Sequence, residues 1–132
     1  MVTIILVSHS RKITDGLKEM IEEMTGNFDS ITIISAGGTE DGRLGTDPVN
    51  LVKEIENSAN MDNIYLFADI GSAVMSIETA LELIEDDQLR DKCVYIDAPL
   101  VEGAFVGAVK CMSDASKEAV VAEVSKLNPN TD

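Results

Sequence analysis

The 132-residue sequence is poor in aromatic and basic residues, and it contains a single histidine, His9. Aromatic residues make up 4% of the chain and tryptophan is absent, which argues against a flavin carrier, because such a protein needs flat side chains to stack on the ring. Ten basic residues stand against 24 acidic ones, giving a formal net charge of −14. This balance argues against nucleic acid or an anionic membrane as partner, because both are bound through Lys and Arg.

Long apolar runs and cysteine clusters are also missing. The apolar runs are four to six residues long, whereas a membrane span needs roughly 20. No secretory signal is recognised, so we expect a cytoplasmic protein. Cys93 and Cys111 are too few for a disulfide framework and lack metal-ligand spacing. They are interpreted as small buried hydrophobic residues, and no metal site is expected.

What the sequence does contain is a regular alternation of strand and helix patterns within one expected domain, residues 1–132. Apolar, β-branched runs predict strands at residues 4–7, 30–35, 63–68 and 92–96. A helical pattern follows each strand, which favours a parallel sheet with right-handed crossovers. The predicted fold class is therefore α/β, a doubly wound, four-stranded parallel sheet of order 2-1-3-4 with helices on both faces. In this order, the border between strands 1 and 3 is the switch point where ligands bind.

The predicted helices have apolar positions at helical spacing. Ser10 and Asp47 are candidate N-caps, and Gly26 is a candidate C-terminal glycine. The predicted inward positions are Ile13, Leu17, Met20, Ile21 and Met24; Leu51, Val52, Ile55 and Ala59; Val74, Ile77, Leu81 and Ile84; and Val120, Val124 and Leu127. Residues 128–130 are expected to end the last helix. Residues 100–112 are apolar almost all round, so we expect that helix to be covered on more than one side, as it would be in a homodimer.

His9 and Asp69 each follow a predicted buried strand, strand 1 and strand 3 respectively. Because these strands are neighbours in the predicted order, the two side chains are expected within hydrogen-bond reach. A neutral imidazole nitrogen can attack a phosphoryl group, and a carboxylate on the opposite nitrogen fixes the tautomer and stabilises the developing positive charge. The hypothesis is that His9 carries a phosphoryl group and Asp69 orients it. A structural histidine and a helix-capping aspartate are the alternatives.

Backbone amides and hydroxyl groups are the expected ligands of the phosphoryl group. The turn after His9 includes Ser10, and Gly71-Ser72 opens the third predicted helix, so both offer unpaired N–H groups. The glycine-rich loop at residues 36–46 includes Gly38 and Thr39, but it lacks the motifs of nucleotide-binding loops. Arg11 and Lys12 are assigned a peripheral, solvent-facing position.

Three segments of the sequence resemble the mannose-type IIA domains of the bacterial sugar phosphotransferase system. They are Leu6-Val7-Ser8-His9-Ser10, the loop from Ala36-Gly37-Gly38-Thr39 to Thr46, and Asp69-Ile70-Gly71-Ser72-Ala73. The segments are more similar to the phosphotransferase subunits of phosphoenolpyruvate-dependent dihydroxyacetone kinases. The resemblance extends over the whole chain. The turn after Asp69 is shorter than in the sugar-transport branch, and the phosphocarrier-like domains of some relatives are absent.

The resemblance implies a flavodoxin-like homodimer in which His9 is phosphorylated by the histidine-containing phosphocarrier protein. The phosphoryl group would pass to ADP held on the nucleotide-binding kinase subunit, and the ATP formed would phosphorylate dihydroxyacetone on a third subunit. No cofactor is then expected on this chain. By the same resemblance, Asp69 is the partner of His9, and the Gly38-Thr39 and Gly71-Ser72 loops surround the phosphate.

Two alternative functions remain at this point. One is a mannose-type IIA component of a sugar-transport system, because the His9 segment is shared between the branches. The other is a flavodoxin-like regulatory or interaction module. A response-regulator receiver is disfavoured, because strand 1 ends in Ser8-His9 where an acidic phosphoacceptor cluster is needed.

Overall fold

The computed structural model describes residues 1–128, and all elements given below lie in that part of the chain. The strands are β1 (Val2–Val7), β2 (Ile31–Ser35), β3 (Asn63–Ala68) and β4 (Cys93–Tyr95). The helices are α1 (Arg11–Thr25), α2 (Pro48–Asn57), α3 (Gly71–Leu83), α4 (Asp87–Lys92), α5 (Leu100–Ser113) and α6 (Lys117–Ser125). In residues 1–128, no helix has the length and apolar character needed to cross a membrane.

The strands form one parallel sheet in the order β2-β1-β3-β4, which confirms the predicted topology. β1 is paired on both sides, and its Thr3 lies opposite Thr32 of β2 and Ile64 of β3. The β1–β3 register continues to Val7 opposite Ala68. The chain goes from β1 to one side and later returns to the other, so the carboxyl ends of β1 and β3 form the switch point.

Helices cover both faces of the sheet, as predicted, and the alternation of side chains along β1 explains why. Ile4 and Leu6 pack into an apolar cluster with α1, α5 and α6, whereas Ile5 and Val7 pack into a second cluster with α2 and α3. All four side chains are fully buried. A strand that is covered on both faces has a continuous apolar run instead of an alternating one, and this is the pattern at the start of the chain.

The inward face of α1 differs from the prediction. Leu17 and Ile21 are buried as expected, but three predicted inward side chains are exposed: Ile13, Met20 and Met24. These three residues share one flank of the helix, and the buried stripe is displaced towards the polar but fully buried Thr14. Because Thr14 contacts the loop after β2, the helix is turned so that a hydroxyl group, not Ile13, faces inward.

The sequence analysis missed the short helix α4. Lys92, which was predicted to begin strand 4, is instead the last residue of α4, and Asp86 is the N-cap of this helix. The Asp86 carboxylate accepts two amide hydrogen bonds from the first turn of α4. Arg90 donates to the carbonyl oxygens of Leu81, at 3.0 Å, and of Ile84. The side chain thereby satisfies carbonyl groups at the end of α3.

The other helix ends largely follow their sequence signals. Asp47 caps α2 by accepting from the Asn50 amide at 3.2 Å, and Gly26 ends α1 in the left-handed region, with φ of 76°. Ser10 occupies the N-cap position of α1, although its side chain makes no capping hydrogen bond. α6 ends at Ser125, earlier than predicted, and residues 129 and 130 of the predicted terminator lie outside the described residues.

The inward positions of the later helices are borne out in part. Leu51, Ile55, Ile77, Ile84, Val120 and Val124 are buried, while Val52, Val74, Leu81 and Leu127 are half-buried and Ala59 is exposed beyond the end of α2. Cys111 is buried and Cys93 half-buried, and burial raises the pKa of each thiol to about 11. α5 buries its small residues against the sheet but leaves an apolar strip exposed, formed by Val101, Val109 and Met112. Nothing in the single chain covers this strip in the described residues, so the homodimer stays a prediction.

Two glycines of the same region provide a matched test of packing. A Cβ on Gly37 would overlap the Ser10 carbonyl oxygen and lie 2.5 Å from Thr14 Oγ1, whereas a Cβ on Gly16 would meet nothing within 4 Å. We expect Gly37→Ala to lower the free energy of unfolding by about 1–3 kcal/mol, because backbone must move. Gly16→Ala, in the interior of α1, should raise it by about 0.5–1 kcal/mol. Urea denaturation of both variants checks the pair, and equal effects would contradict this account of Gly37.

Candidate functional site

The end of the β1–β3 ladder brings His9 and Asp69 together. The Asp69 amide donates to the Val7 carbonyl at 3.2 Å, which extends the pairing of Val7 with Ala68 by one step. Each chain then leaves its strand, and α1 begins at Arg11 and α3 at Gly71. The predicted juxtaposition is therefore present, at the carboxyl edge of the two central strands.

The Asp69 carboxylate accepts hydrogen bonds from four donors. The Ser8 hydroxyl donates at 3.0 Å and the His9 amide at 3.1 Å, both to Oδ2. The Ile70 amide donates to Oδ1 at 2.7 Å. His9 Nδ1 lies 3.1 Å from Oδ1 and 3.3 Å from Oδ2. The side chain is 20% exposed, so the charged group is largely withdrawn from water and depends on these donors.

The donors around Asp69 also keep it ionised. Burial by itself raises the pKa of a carboxyl group, but the hydrogen bonds from the His9 and Ile70 amides, the Ser8 hydroxyl and the His9 ring outweigh it. The pKa of Asp69 is consequently below its ordinary value of 3.8. The carboxylate is therefore charged at neutral pH, and the Nδ1 atom that faces it carries the proton.

The other nitrogen of His9 faces the start of α3. Nε2 is in hydrogen-bond contact with the hydroxyl group of Ser72, which donates when Nδ1 holds the ring proton. The His9 side chain is 28% exposed. The amides of Gly71 and Ser72 are in the first turn of α3, where intrahelical acceptors are lacking. In the tautomer with the ring proton on Nδ1, Nε2 is thus a hydrogen-bond acceptor beside a hydroxyl group and a helix N-terminus.

The loop after β2 packs beneath His9 and is held by backbone hydrogen bonds. The Gly38 amide donates to the Ser8 carbonyl at 2.9 Å, and the Gly45 amide donates to the His9 carbonyl at 2.8 Å. Gly38 has a φ of 70°, in the region that favours glycine. The Thr39 hydroxyl is engaged within the loop, with Asp41 and the Arg43 backbone. Gly38 therefore contacts the backbone next to His9, whereas the polar groups of Thr39 are bonded within the loop.

Three residues make contacts in this geometry that were not predicted from the sequence, although the Ser8 hydroxyl was a candidate donor to the phosphoryl group. Ser8 is fully buried, and its hydroxyl group links two parts of the site. It donates to Asp69 and accepts a hydrogen bond from the Ser10 amide at 3.1 Å. Thr14 accepts from the Gly37 amide at 3.0 Å. Gly45 contacts the His9 backbone. For Thr14 the available signal was a polar residue on the inward side of an amphipathic helix that faces a glycine loop.

Fold and site together define a doubly wound α/β protein with a histidine–carboxylate pair at its topological switch point. A family model described as EIIA-man, PTS system fructose IIA component, matches residues 3–121. The chain belongs to this family, which confirms the resemblance found in the sequence.

Named relatives and a solved structure agree with the family. The chain is 53% identical to the phosphoryl donor subunit DhaM of PEP-dependent dihydroxyacetone kinase 2 from Listeria innocua, covering 97% of this chain and 100% of the relative. It is 38% identical to the DhaM subunit of Providencia stuartii, covering 96% of this chain but 26% of that longer protein. A crystal structure described as "unknown function protein EF1359" superposes with a TM-score of 0.88 at 42% identity, covering 99% of this chain and 98% of that one.

The ionisation of Asp69 gives a pH-dependent prediction. Asp69→Asn places an amide N–H₂ among hydrogen-bond donors, so we expect it to lower the free energy of unfolding by about 1–3 kcal/mol at neutral pH. Because the folded pKa of Asp69 is depressed, its stabilisation is present above the ordinary value of 3.8 and is lost as pH falls through the folded value. The difference in free energy of unfolding between the unchanged protein and Asp69→Asn should therefore become smaller below about pH 4. Urea denaturation over a pH series measures it, and a difference that grows towards acid would contradict this account.

Proposed function

We propose that this chain is a phosphoryl carrier of a phosphoenolpyruvate-dependent dihydroxyacetone kinase. It accepts a phosphoryl group on His9 from the histidine-containing phosphocarrier protein and passes the group to ADP bound on the nucleotide-binding kinase subunit. The observation that carries the proposal is the His9 ring itself, with Nδ1 held by Asp69 and Nε2 directed to Ser72 at the start of α3. The names of its relatives support the choice of kinase.

In this proposal, Nε2 is the nucleophile. Its lone pair attacks phosphorus, the bond from phosphorus to the phosphocarrier nitrogen breaks, and that electron pair stays on the phosphocarrier. The His9 ring becomes positively charged while Nδ1 keeps its proton, and the Asp69 carboxylate stabilises that charge at 3.1 Å. The contact between Nε2 and Ser72 must open in this step, and the freed hydroxyl group can then donate to a phosphoryl oxygen.

The phosphoryl oxygens are bound mainly by neutral donors in this proposal. The Gly71 and Ser72 amides lie at the positive end of the α3 dipole. The Ser10 amide is bonded to Ser8, so Ser10 would contribute its hydroxyl group, which makes no capping hydrogen bond at the start of α1. Gly38 and Thr39 could become direct ligands only if their present hydrogen bonds opened. We therefore assign Gly38 to positioning His9 through the Ser8 carbonyl, and Thr39 to holding the loop through Asp41 and Arg43. No metal or cofactor on this chain is required for the transfer.

Exposed apolar side chains on the surface support the proposed partner proteins. Ile70 and Met75, in and next to the first turns of α3, are 61% and 67% exposed, and apolar side chains around a reactive group suit docking of a partner protein. The apolar strip on α5 supports a homodimer. With partners of this kind, the proposed location of the protein is the cytoplasm.

The site predicts phosphorylation at a single residue. After mixing with phosphoenolpyruvate, enzyme I and the phosphocarrier, we expect acid-labile, base-stable phosphate on His9, detected by intact-protein mass spectrometry and nitrogen-resolved NMR at Nε2. Ser72→Ala should still be labelled, about tenfold more slowly, because one hydrogen bond to the charged group is lost.

His9→Ala is the decisive control, because it removes the only histidine of the chain. It should take no label. Labelling of His9→Ala, or phosphate on Nδ1 of the unchanged protein, would contradict the mechanism.

The sugar-transport alternative is favoured by the description of the family model, which names a fructose IIA component. Reconstitution separates the two. With the nucleotide-binding and dihydroxyacetone-binding subunits, phosphoenolpyruvate, enzyme I and the phosphocarrier, we expect dihydroxyacetone phosphate to form, and none with His9→Ala. Phosphate on His9 without any product would instead point to a sugar-transport acceptor.

A further inference from the structure

A cavity of about 610 Å³ lies beside His9, between the first turn of α1 and the tip of the loop after β2. α1 contributes Ser10, Arg11 and Lys12 to its wall, and the loop contributes Gly42, Arg43 and Leu44. The two walls are tied to the site, because Ser10 follows His9 directly and the Gly45 amide donates to the His9 carbonyl. The cavity is therefore connected to the His9 backbone through both of its walls.

The charge of this cavity is opposite to that of the protein. Three of the ten basic residues line it and no acidic residue does, although the chain as a whole carries a formal charge of −14. Of the seven basic side chains elsewhere, three are engaged in structural contacts: Arg90 bonds to the end of α3, Lys92 to the Ala59 carbonyl and Lys126 to Glu123. A concentration of cations in an acidic protein indicates an anionic ligand.

The two arginines are held in different ways. Arg11 donates through Nε to the Gly37 carbonyl at 2.6 Å, which fixes its guanidinium group against the loop. Arg43 donates to Asp41 on its own loop, with its Nε and a terminal nitrogen each 2.9 Å from Oδ2. That pair is highly exposed, at 82% for Arg43 and 58% for Asp41. Exposed ion pairs contribute little to stability, so Arg43 can exchange Asp41 for another anion.

We propose that this cavity binds the non-reacting phosphate of the nucleoside diphosphate acceptor, with Arg43 as its principal ligand and Arg11 and Lys12 adding positive charge. This inference rests on the proposed function and extends it to the acceptor. It changes the peripheral role that the sequence alone suggested for Arg11 and Lys12.

The acceptor is an anion, and its attack is favoured by positive charge at the place where it binds. A terminal oxygen of the diphosphate attacks phosphorus, the bond from phosphorus to Nε2 breaks, and the electron pair returns to Nε2 while Nδ1 keeps its proton. No proton is exchanged that could neutralise the diphosphate, so cations on this chain would reduce the repulsion between the acceptor and an acidic protein. Guanidinium groups match phosphate oxygens in a bidentate manner, and a cavity beside His9 is where the second phosphate would lie.

The test separates the two steps of transfer in the complete reconstituted system. Arg43→Gln should accept phosphate from the phosphocarrier within about twofold of the unchanged rate, because the reacting phosphoryl group is bound by amides. Transfer from phosphorylated His9 to the ADP-loaded subunit should slow tenfold or more, the effect expected from losing one charge-assisted hydrogen bond. Lys117→Gln, which makes the same charge change at the start of α6, is the matched control and should leave both steps unchanged.

A binding measurement supplies a readout that does not depend on activity. Inorganic pyrophosphate should shift the NMR signals of the Gly42 and Leu44 amides in the unchanged chain, and Arg43→Gln should weaken that binding about tenfold or more. Pyrophosphate that shifts neither signal, or binds both proteins equally, would overturn the assignment of the cavity.

The remaining outcomes are also decisive. Equal slowing of both steps, or of neither, in Arg43→Gln overturns the inference. The inference is also overturned if Arg43→Gln needs a higher partner concentration for half-maximal rate but keeps the same maximal rate. Arg43 would then contact the protein surface of the partner. If His9 of the unchanged chain takes no phosphate, the proposed function is wrong and the nucleotide assignment with it. If His9 is phosphorylated and the variants behave alike, only the inference is wrong.

Discussion

The geometry of this site depends on the need of one largely buried carboxylate for hydrogen-bond donors. A charge withdrawn from water is tolerated when donors replace the lost hydration, and Asp69 obtains four of them from Ser8, His9 and Ile70. Three of these donors are fixed by the strand ends and by a buried serine, so the carboxylate has little freedom. The fourth is the His9 ring, and its tautomer follows from the arrangement. Because Nδ1 donates a hydrogen bond to Asp69, Nε2 is the nitrogen that the proposed mechanism makes reactive.

That arrangement requires β1 and β3 to be neighbours, and it recruits the loop after β2 as well. The order β2-β1-β3-β4 places three strand ends side by side. Backbone groups beyond the ladders are then paired across the loops, with Gly38 bonded to Ser8 and Gly45 bonded to His9. Because the carbonyl groups of Ser8 and His9 already have partners, the backbone that carries the His9 ring is held in place. In the proposed mechanism the smallest necessary movement is a rotation of the Ser72 hydroxyl.

The features that sequence could predict are those set by period and by strand order. The buried runs, the sheet order and the meeting of His9 with Asp69 all follow from which residues are apolar and where the runs stop. The orientation of α1 did not follow, because Thr14 faces inward through a hydrogen bond to a loop 23 residues later in the chain. α4 was missed because its six residues are too few for a periodic signal and its structural role depends on Arg90 reaching the end of α3. Both errors come from polar tertiary contacts, which leave little trace in a hydrophobic pattern.

A separation of neutral donors from cations suits a carrier, as opposed to an enzyme that keeps its product. Cations held directly on the phosphoryl group would stabilise phosphohistidine in the ground state as well as in the transition state, and uniform stabilisation slows release without helping transfer. In the proposed mechanism, amides at the start of α3 bind the phosphoryl group less strongly, and Asp69 stabilises the charge that arises on the His9 ring. In the further inference, the positive charges of Arg11 and Arg43 line the neighbouring cavity. They would interact with the phosphate of a nucleotide acceptor only after that acceptor has bound. The proposed site would thereby couple loss of the phosphoryl group to the presence of its recipient, in a protein whose overall negative charge opposes the approach of other anions.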